Sequence, residues 1–500
     1  MMSKKSSGVI AYFKGLTKRQ RIIWIVAAIL VVVLIAGAIV LAVLLTRDDE
    51  TVTALKRKEY YYAITPTDEV GVVLDDGFTV GLPREDFTFK VLKEVPGISV
   101  SEDMVLTSSA AEVGSVAEFS YTYGDVEIAK ISVEVVAADA IKVSDAIQLG
   151  NIANGSGTYI LTSDIDVSAL TTQIAGFKGR LFGNHRKISG NLPKGGLFSE
   201  VNGAEIKGME LAVDSEMIYT TNEIPADGLN VGVLASHTSD ADISECYVTG
   251  KLSVQYQTSS RNVNVRIGGL IGFAEAGARS NLNTSVHYLR QCESELDLSV
   301  SGNGAVYLGG IYGMALNAGA SNLRTFGSVS FTGSAPSVSA LNVGGIGGLH
   351  RKEYGAQIAA GHELENTNRT YFYGEMNINL TDTANSFYIK AGGIFGVADT
   401  LSMTNSEFHG KISITSNAPV IAGGIVGEAR SELNATMRLN GIKSAGSMVL
   451  NVTGEAYGGG VAGSISGNTE YMGVVASFTP EIIGGIGENR IVDPGAAKTE

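Results

Sequence analysis

The sequence predicts an all-β chain: a right-handed parallel β-helix solenoid, preceded by a small β-sandwich and one N-terminal transmembrane helix. Three observations predict it. A glycine pattern recurs along most of the chain, alternating apolar residues lie between its copies, and one long uncharged run stands near the N-terminus. The pattern is clearest at Gly268-Gly269-Leu270-Ile271-Gly272, Gly309-Gly310-Ile311-Tyr312-Gly313, Gly344-Gly345-Ile346-Gly347-Gly348, Gly392-Gly393-Ile394-Phe395-Gly396, Gly423-Gly424-Ile425-Val426-Gly427 and Gly459-Gly460-Val461-Ala462-Gly463. Weaker copies sit at Gly195-Gly196, Gly232 and Gly484-Gly485, and the steps between copies run from 25 to 48 residues. Self-similarity at such a period is the mark of a solenoid.

Each repeat has a second half. Cys246, Cys292, Thr325, Thr370, Ser406 and Ile442 lead, six residues on, to Leu252, Leu298, Phe331, Met376, Ile412 and Met448. Two residues further stand Val254, Val300, Gly333, Ile378, Ile414 and Leu450. Alternation at i and i+2 is the strand period. The glycines either turn the backbone with φ > 0 or let stacked coils approach closely. A helical repeat is excluded, because each interior glycine would cost a helix about 1 kcal/mol.

The G-G-[LIV]-x-G copies resemble the GLUG motif of bacterial surface proteins. So does the lead-in Tyr159-Ile160-Leu161-Thr162-Ser163-Asp164-Ile165-Asp166 with Phe177-Lys178-Gly179-Arg180-Leu181-Phe182-Gly183-Asn184. The resemblance spans roughly residues 140–490 and implies a β-helix on a cell surface. Asn184-His185-Arg186-Lys187-Ile188 departs from it, standing where the family tends to have a Gly-Asn-Gly-His-like turn.

Residues 1–21 carry six Lys/Arg and no acid, and the next 24 residues, Ile22 to Leu45, hold no charge. At 1.5 Å per residue that run is about 36 Å, enough to cross a hydrocarbon core of about 30 Å. It is too long for the apolar region of a cleaved signal peptide. The expected order is a cytoplasmic tail (1–21), a single-pass membrane helix (22–46), a charged stalk (47–57), an immunoglobulin-like sandwich (58–138), the β-helix (139–490) and a polar tail (491–500). The positive-inside rule leaves the N-terminus cytoplasmic and the C-terminal ectodomain extracellular. The sandwich is read from short alternating runs such as Phe78-Thr79-Val80, Phe87-Thr88-Phe89 and Ile131-Ser132-Val133-Glu134-Val135, with turns at Asp75-Asp76-Gly77 and Tyr123-Gly124-Asp125. It resembles bacterial immunoglobulin-like spacer domains. Ser144 is expected to cap a short helix through Ile152, with Ala146, Ile147, Leu149 and Ile152 on its apolar side, covering the open end of the solenoid.

The net charge is −14, which leaves −20 beyond the N-terminal tail. A chain that acidic is a poor nucleic-acid binder. Cys246 and Cys292 fall at one repeat position in successive coils. A disulfide is within reach at the coil spacing, but free thiols packed as small hydrophobes are the preferred reading. The histidines (His185, His237, His287, His350, His362, His409) form no metal motif, no phosphate loop occurs, and no cofactor is expected.

The longest step, 48 residues, holds an insertion from His350 to Asn368 with His350, Arg351, Tyr354, His362 and Glu363 as candidate ligand-binding residues. A second long loop, Ala274 to Arg290, carries Arg279 and His287. Loops on a rigid scaffold often carry function. The expected function is adhesion or cell-envelope interaction by a membrane-anchored surface protein, without catalysis, with glycans or host or envelope proteins as candidate partners. The alternative is a membrane-tethered polysaccharide lyase or glycosidase of β-helix type. Acids clustered within about 5–10 Å in a groove would favour the enzyme. A flat face of Ser, Thr, Asn and Tyr would favour binding. Glu245, Glu293 and Glu407 do not fall at one repeat position, which speaks against the enzyme.

Overall fold

The computed structural model describes residues 59–72, 87–101, 103–123, 126–276, 288–333, 338–352, 367–380, 387–431, 436–484 and 486–489. The expected membrane helix, cytoplasmic tail, stalk and polar tail lie outside them. So do Tyr354, His362, Glu363, Arg279, His287 and the turn at Asp75-Asp76-Gly77. No helix among the described residues is long and apolar enough to cross a membrane.

Two compact units form. One comprises 1–58, 74–90 and 120–130; in its described part Thr88 and Thr122 share a 2.9 Å hydrogen bond, and the rings of Phe89 and Tyr121 pack 4.7 Å apart. The other comprises 59–73, 91–119 and 131–500 and is built almost wholly of stacked parallel strands. The N-terminal strands make a four-stranded sheet and a three-stranded antiparallel sheet (Glu69–Gly71, Ile98–Val100 and Val105–Ser108).

One coil of the solenoid runs as follows. Glu375–Leu380 lies in a 15-stranded sheet, here called the long sheet. Ile389–Gly392 lies in an eight-stranded sheet that leads into Gly-Gly, the approach sheet. Phe395–Asp399 lies in a second eight-stranded sheet, the exit sheet. Ser402–Thr404 lies in an 11-stranded sheet, the short-strand sheet, before Glu407–Phe408 re-enters the long sheet. Every strand pairs in parallel with its counterpart one coil away, for example Glu375–Leu380 with Lys411–Ser416. Successive strands stand about 4.8 Å apart.

The interior is one continuous apolar column system. Leu252, Leu298, Val329, Met376, Ile412 and Met448 stack in register, all buried. This corrects one rung of the sequence register. The column that holds Cys292 continues through Leu323, not Thr325, and then through Thr370, Ser406 and Ile442. Phe331 and Gly333 are displaced by the same two residues, so Phe331 stacks on Val300 and Ile378. The preference for a small residue at the corner favoured Thr325, but the position tolerates Leu. Cys246 and Cys292 are buried free thiols in adjacent coils. Each sulfur lies 3.3 Å from the carbonyl two residues before it, of Ser244 and of Arg290.

The helix at the start of the solenoid is shorter than expected, Ala146–Gly150. Its cap is Asp145, whose carboxylate accepts from the Gln148 N–H at 2.9 Å; Ser144 instead donates to the Gln148 side chain. Leu149 and Ile152 join the core, whereas Ile147 faces solvent.

The residues at 184–185 that depart from the GLUG-like pattern have a structural task. Both are left-handed, with φ of 47° and 53°. The Asn184 amide exchanges hydrogen bonds of 2.8 and 2.9 Å with the backbone of Ala63. The Tyr61 N–H donates to His185 Nε2. That tautomer leaves the Nδ1 proton for Glu210, 3.0 Å away. The turn thus holds the strand Glu59–Ile64 against the first coils. Beside it Tyr61 donates to Glu134 at 2.5 Å, and Arg180 bridges Glu134 and Glu205. Burial pushes the Glu205 carboxyl up, but Arg180 and Lys207 outweigh it and hold the group below its ordinary range.

Candidate functional site

The recurring glycines occupy three positions, none of which needs a left-handed backbone in the six clear copies. The second glycine faces inward. A Cβ on Gly269, Gly310, Gly345, Gly393 or Gly424 would stand 2.1–2.3 Å from the carbonyl oxygen of the equivalent glycine one coil on. On its other side lies the long sheet's Ser294, Thr325, Phe372, Phe408 or Ser444. The first and fifth glycines lie where the backbone doubles back. A Cβ on Gly392 would meet the Phe395 oxygen at 2.0 Å, and one on Gly396 would meet the Val343 nitrogen of the approach sheet at 2.6 Å. Close approach is therefore the reason for these glycines.

The doubling-back turns the outer faces of the approach and exit sheets toward each other. Between them lies a cleft of about 340 Å³, lined by Tyr307, Asn342, Leu349, Tyr388, Lys390 and Arg430 among others. Its charged groups pair with each other. Lys390 meets Glu428 at 2.5 Å, and Arg430 meets Asp399 at 3.1 Å. Asp399 and Glu428 both lie within 4.0 Å of Arg430, and each also faces a second cation, Arg351 or Lys390. The Tyr388 hydroxyl donates to Glu455 at 2.7 Å, which pushes its pKa up to about 12. One coil toward the N-terminus, Arg266 lies over Phe273, whose ring stacks on His237 at 5.2 Å.

The outer face of the long sheet is a second exposed array. One row reads Ser253, Ser299, Ser330, Asn377 and Ser413, and the next Gln255, Ser301, Thr332, Asn379 and Thr415. These are half-buried or exposed and uncharged. Toward the strand starts the rows change character. Glu293, Arg324, Tyr371, Glu407 and Lys443 stack in register, with ion pairs of 3.1 Å for Glu293–Arg324 and 2.9 Å for Glu407–Lys443. Phe326, Tyr373 and His409 form a ladder with centroids 5.1 and 5.3 Å apart and planes within 11° of parallel. Glu293 and Glu407, each one residue past the small corner residue, share this row three coils apart. Arg324 and Tyr371 separate them.

His350 is not a loop residue. It belongs to the exit strand Gly347–Arg351, and its ring points inward. Nε2 donates to the Ala318 carbonyl at 3.0 Å and Nδ1 accepts from the Tyr312 hydroxyl at 2.5 Å. Burial pushes its pKa down to about 4, with the bond to Ala318 opposing. Arg351 follows it outward to Asp399. Residues 353–366, with Tyr354, His362 and Glu363, lie outside the described residues. His237 and His409 each pair with a glutamate, at 3.0 and 2.7 Å. Among the described residues no group of three or more His, Cys, Asp or Glu could hold a metal ion.

No family model matches the chain, and no curated protein does. The solved structure of a putative immunoglobulin A1 protease from Bacteroides ovatus is similar to it over 70% of this chain and 84% of that one, at 14% identity and a TM-score of 0.31. Nothing about this chain's chemistry rests on that likeness.

Proposed function

We propose that the chain is a bacterial cell-surface protein, anchored by residues 22–46 with its N-terminus in the cytoplasm, that presents a β-helix for adhesion or cell-envelope contacts. An immunoglobulin-like spacer over 58–138 lifts the solenoid from the membrane. The right-handed sense follows from the general preference of parallel crossover connections. The observation that carries the reading is the pair of uncharged rows of Ser, Asn and Thr on the outer face of the long sheet, beside a row that holds Lys251, Asp297, Glu375 and Lys411. Short polar side chains of low rotamer entropy lose little on ordering against a partner. An uncharged array also suits hydroxyl-rich or neutral partners better than nucleic acid. The alternative, a lyase or glycosidase, draws support from the acids Asp214, Glu216 and Asp297 around a hollow on the long sheet, while the cation pairs of Asp399 and Glu428 weigh against it at the cleft.

The test is retention of cells displaying the full chain on glycan and protein arrays. Ser299→Asp combined with Asn377→Asp and Ser413→Asp is expected to abolish it. Unchanged retention would move the site off this face. Replacing 353–366 by a Gly-Ser turn then tests the segment bearing Tyr354, His362 and Glu363. Protease added to intact protoplasts is expected to digest residues 47–500; full protection would reverse the orientation.

A further inference from the structure

We propose that the cleft between the approach and exit sheets binds one or two uncharged sugar rings at the end of a glycan. This rests on the surface-binding reading and names a second, concave site for it. Four features carry the inference. The volume, about 340 Å³, falls at the low end for small-ligand sites. Leu349 and Val397 give the cleft an apolar floor, and the rings of Tyr307, Phe387 and Tyr388 line it. A pyranose has an apolar C–H face suited to such a surface. Asn342 and Ser339 supply donors and acceptors from the approach side. Finally, the Lys390–Glu428 and Arg430–Asp399 pairs set a donor beside an acceptor. Vicinal hydroxyls, each both donor and acceptor, match that arrangement. A carboxylated or phosphorylated ligand matches it less well, because Asp399 and Glu428 already face these cations, Asp399 between Arg351 and Arg430.

The site is built by the Gly-Gly corner. Fifth-position glycines such as Gly348 and Gly396 let the exit strand lie against approach-sheet backbone, with a Cβ at either standing 2.4–2.6 Å from a main-chain nitrogen. Tyr388, hydrogen-bonded to Glu455, packs with its ring 6.2 Å from that of Tyr457.

The experiment uses the full chain in detergent and titrates it calorimetrically with galactose, mannose, N-acetylglucosamine and their disaccharides. N-acetylneuraminic acid is the charged comparison. At least one neutral sugar is expected to bind at millimolar concentration or below, and Tyr307→Ala to weaken it by about tenfold or more. Asn342→Ala is the second variant, used if circular dichroism shows that Tyr307→Ala has lost the fold. The triple long-sheet variant should bind the sugar as the parent does. No binding of any neutral sugar, binding unchanged in a folded cleft variant, or tighter binding of the acid sugar would each overturn the proposal. Sugar binding that persists while displayed cells fail to adhere would overturn the adhesion reading and leave the cleft standing.

Discussion

His350 carries the clearest pH dependence at the scale of single residues. Its folded pKa of about 4 lies below the ordinary 6.5, so the buried ring is neutral. In the unfolded chain it takes a proton as the pH falls below about 6.5. Its contribution is therefore complete above that value and declines as the pH drops toward 4, by about 3 kcal/mol in all. Denaturant midpoints measured between pH 7 and pH 4.5 should fall less steeply for His350→Gln than for the parent chain. An equal slope would place the acid sensitivity elsewhere. A second expectation concerns corners. Glu245, Gln291, Asn322, Arg369 and Asn405 all have φ between 50° and 54°, and Gly441 continues the same corner at 63°. Left-handed backbone strains a long side chain. Arg369→Gly should therefore raise stability by up to about 1 kcal/mol, seen as a higher melting temperature, and Gly441→Ala should lower it. The sequence concealed this column. Only its Asn and Gly members suggest a left-handed corner, and the glycines that stood out serve close packing instead.

Elements were legible wherever a period was strong. The alternating apolar residues located the long-sheet strands, and Gly-Gly located the corner, because both follow from burial inside a coil. The slip at Thr325 shows the limit: a two-residue error preserves the inward-outward alternation, so periodicity alone does not detect it. The cleft was not legible, since Tyr307, Asn342 and Lys390 come from successive approach strands that only the stacking aligns. Nor was the inward turn of His350, which adjoins the longest insertion yet belongs to the strand before it. The corner itself makes a sharp prediction. A methyl at Gly393 would meet the Gly424 oxygen at 2.1 Å and the Phe408 ring at 2.3 Å. Gly393→Ala should cost more than about 1–3 kcal/mol, and Gly393→Val more still. Phe408→Ala removes the ring but not the carbonyl, so the double variant should be less stable than either single one. A double variant more stable than Gly393→Ala would make the ring, not the coil spacing, the limiting contact.

The chain as a whole grows by addition. Gly392 pairs with Gly423 one coil later, so deleting 393–423 joins Gly392 to Gly424 and restores the Gly-Gly pair in register. Stability in such arrays is close to a sum of coils and interfaces. The shortened chain should keep the parent's circular dichroism per residue and unfold in one transition; a molten or aggregated product would show that this coil has a task beyond its share of the stack. The column of second glycines has a consequence for the history of the molecule. What forbids a side chain there is the carbonyl of the following copy, so the constraint belongs to having a neighbour. At Gly460 the nearest atoms among the described residues are the Ala476 methyl, at 2.7 Å, and the Phe478 carbonyl oxygen, at 3.2 Å. Drift at this position should therefore begin at the last copies and stay frozen in the middle. A duplication that buried a terminal copy would impose the glycine anew, so tolerance to alanine, scanned copy by copy, would read out which units are interior.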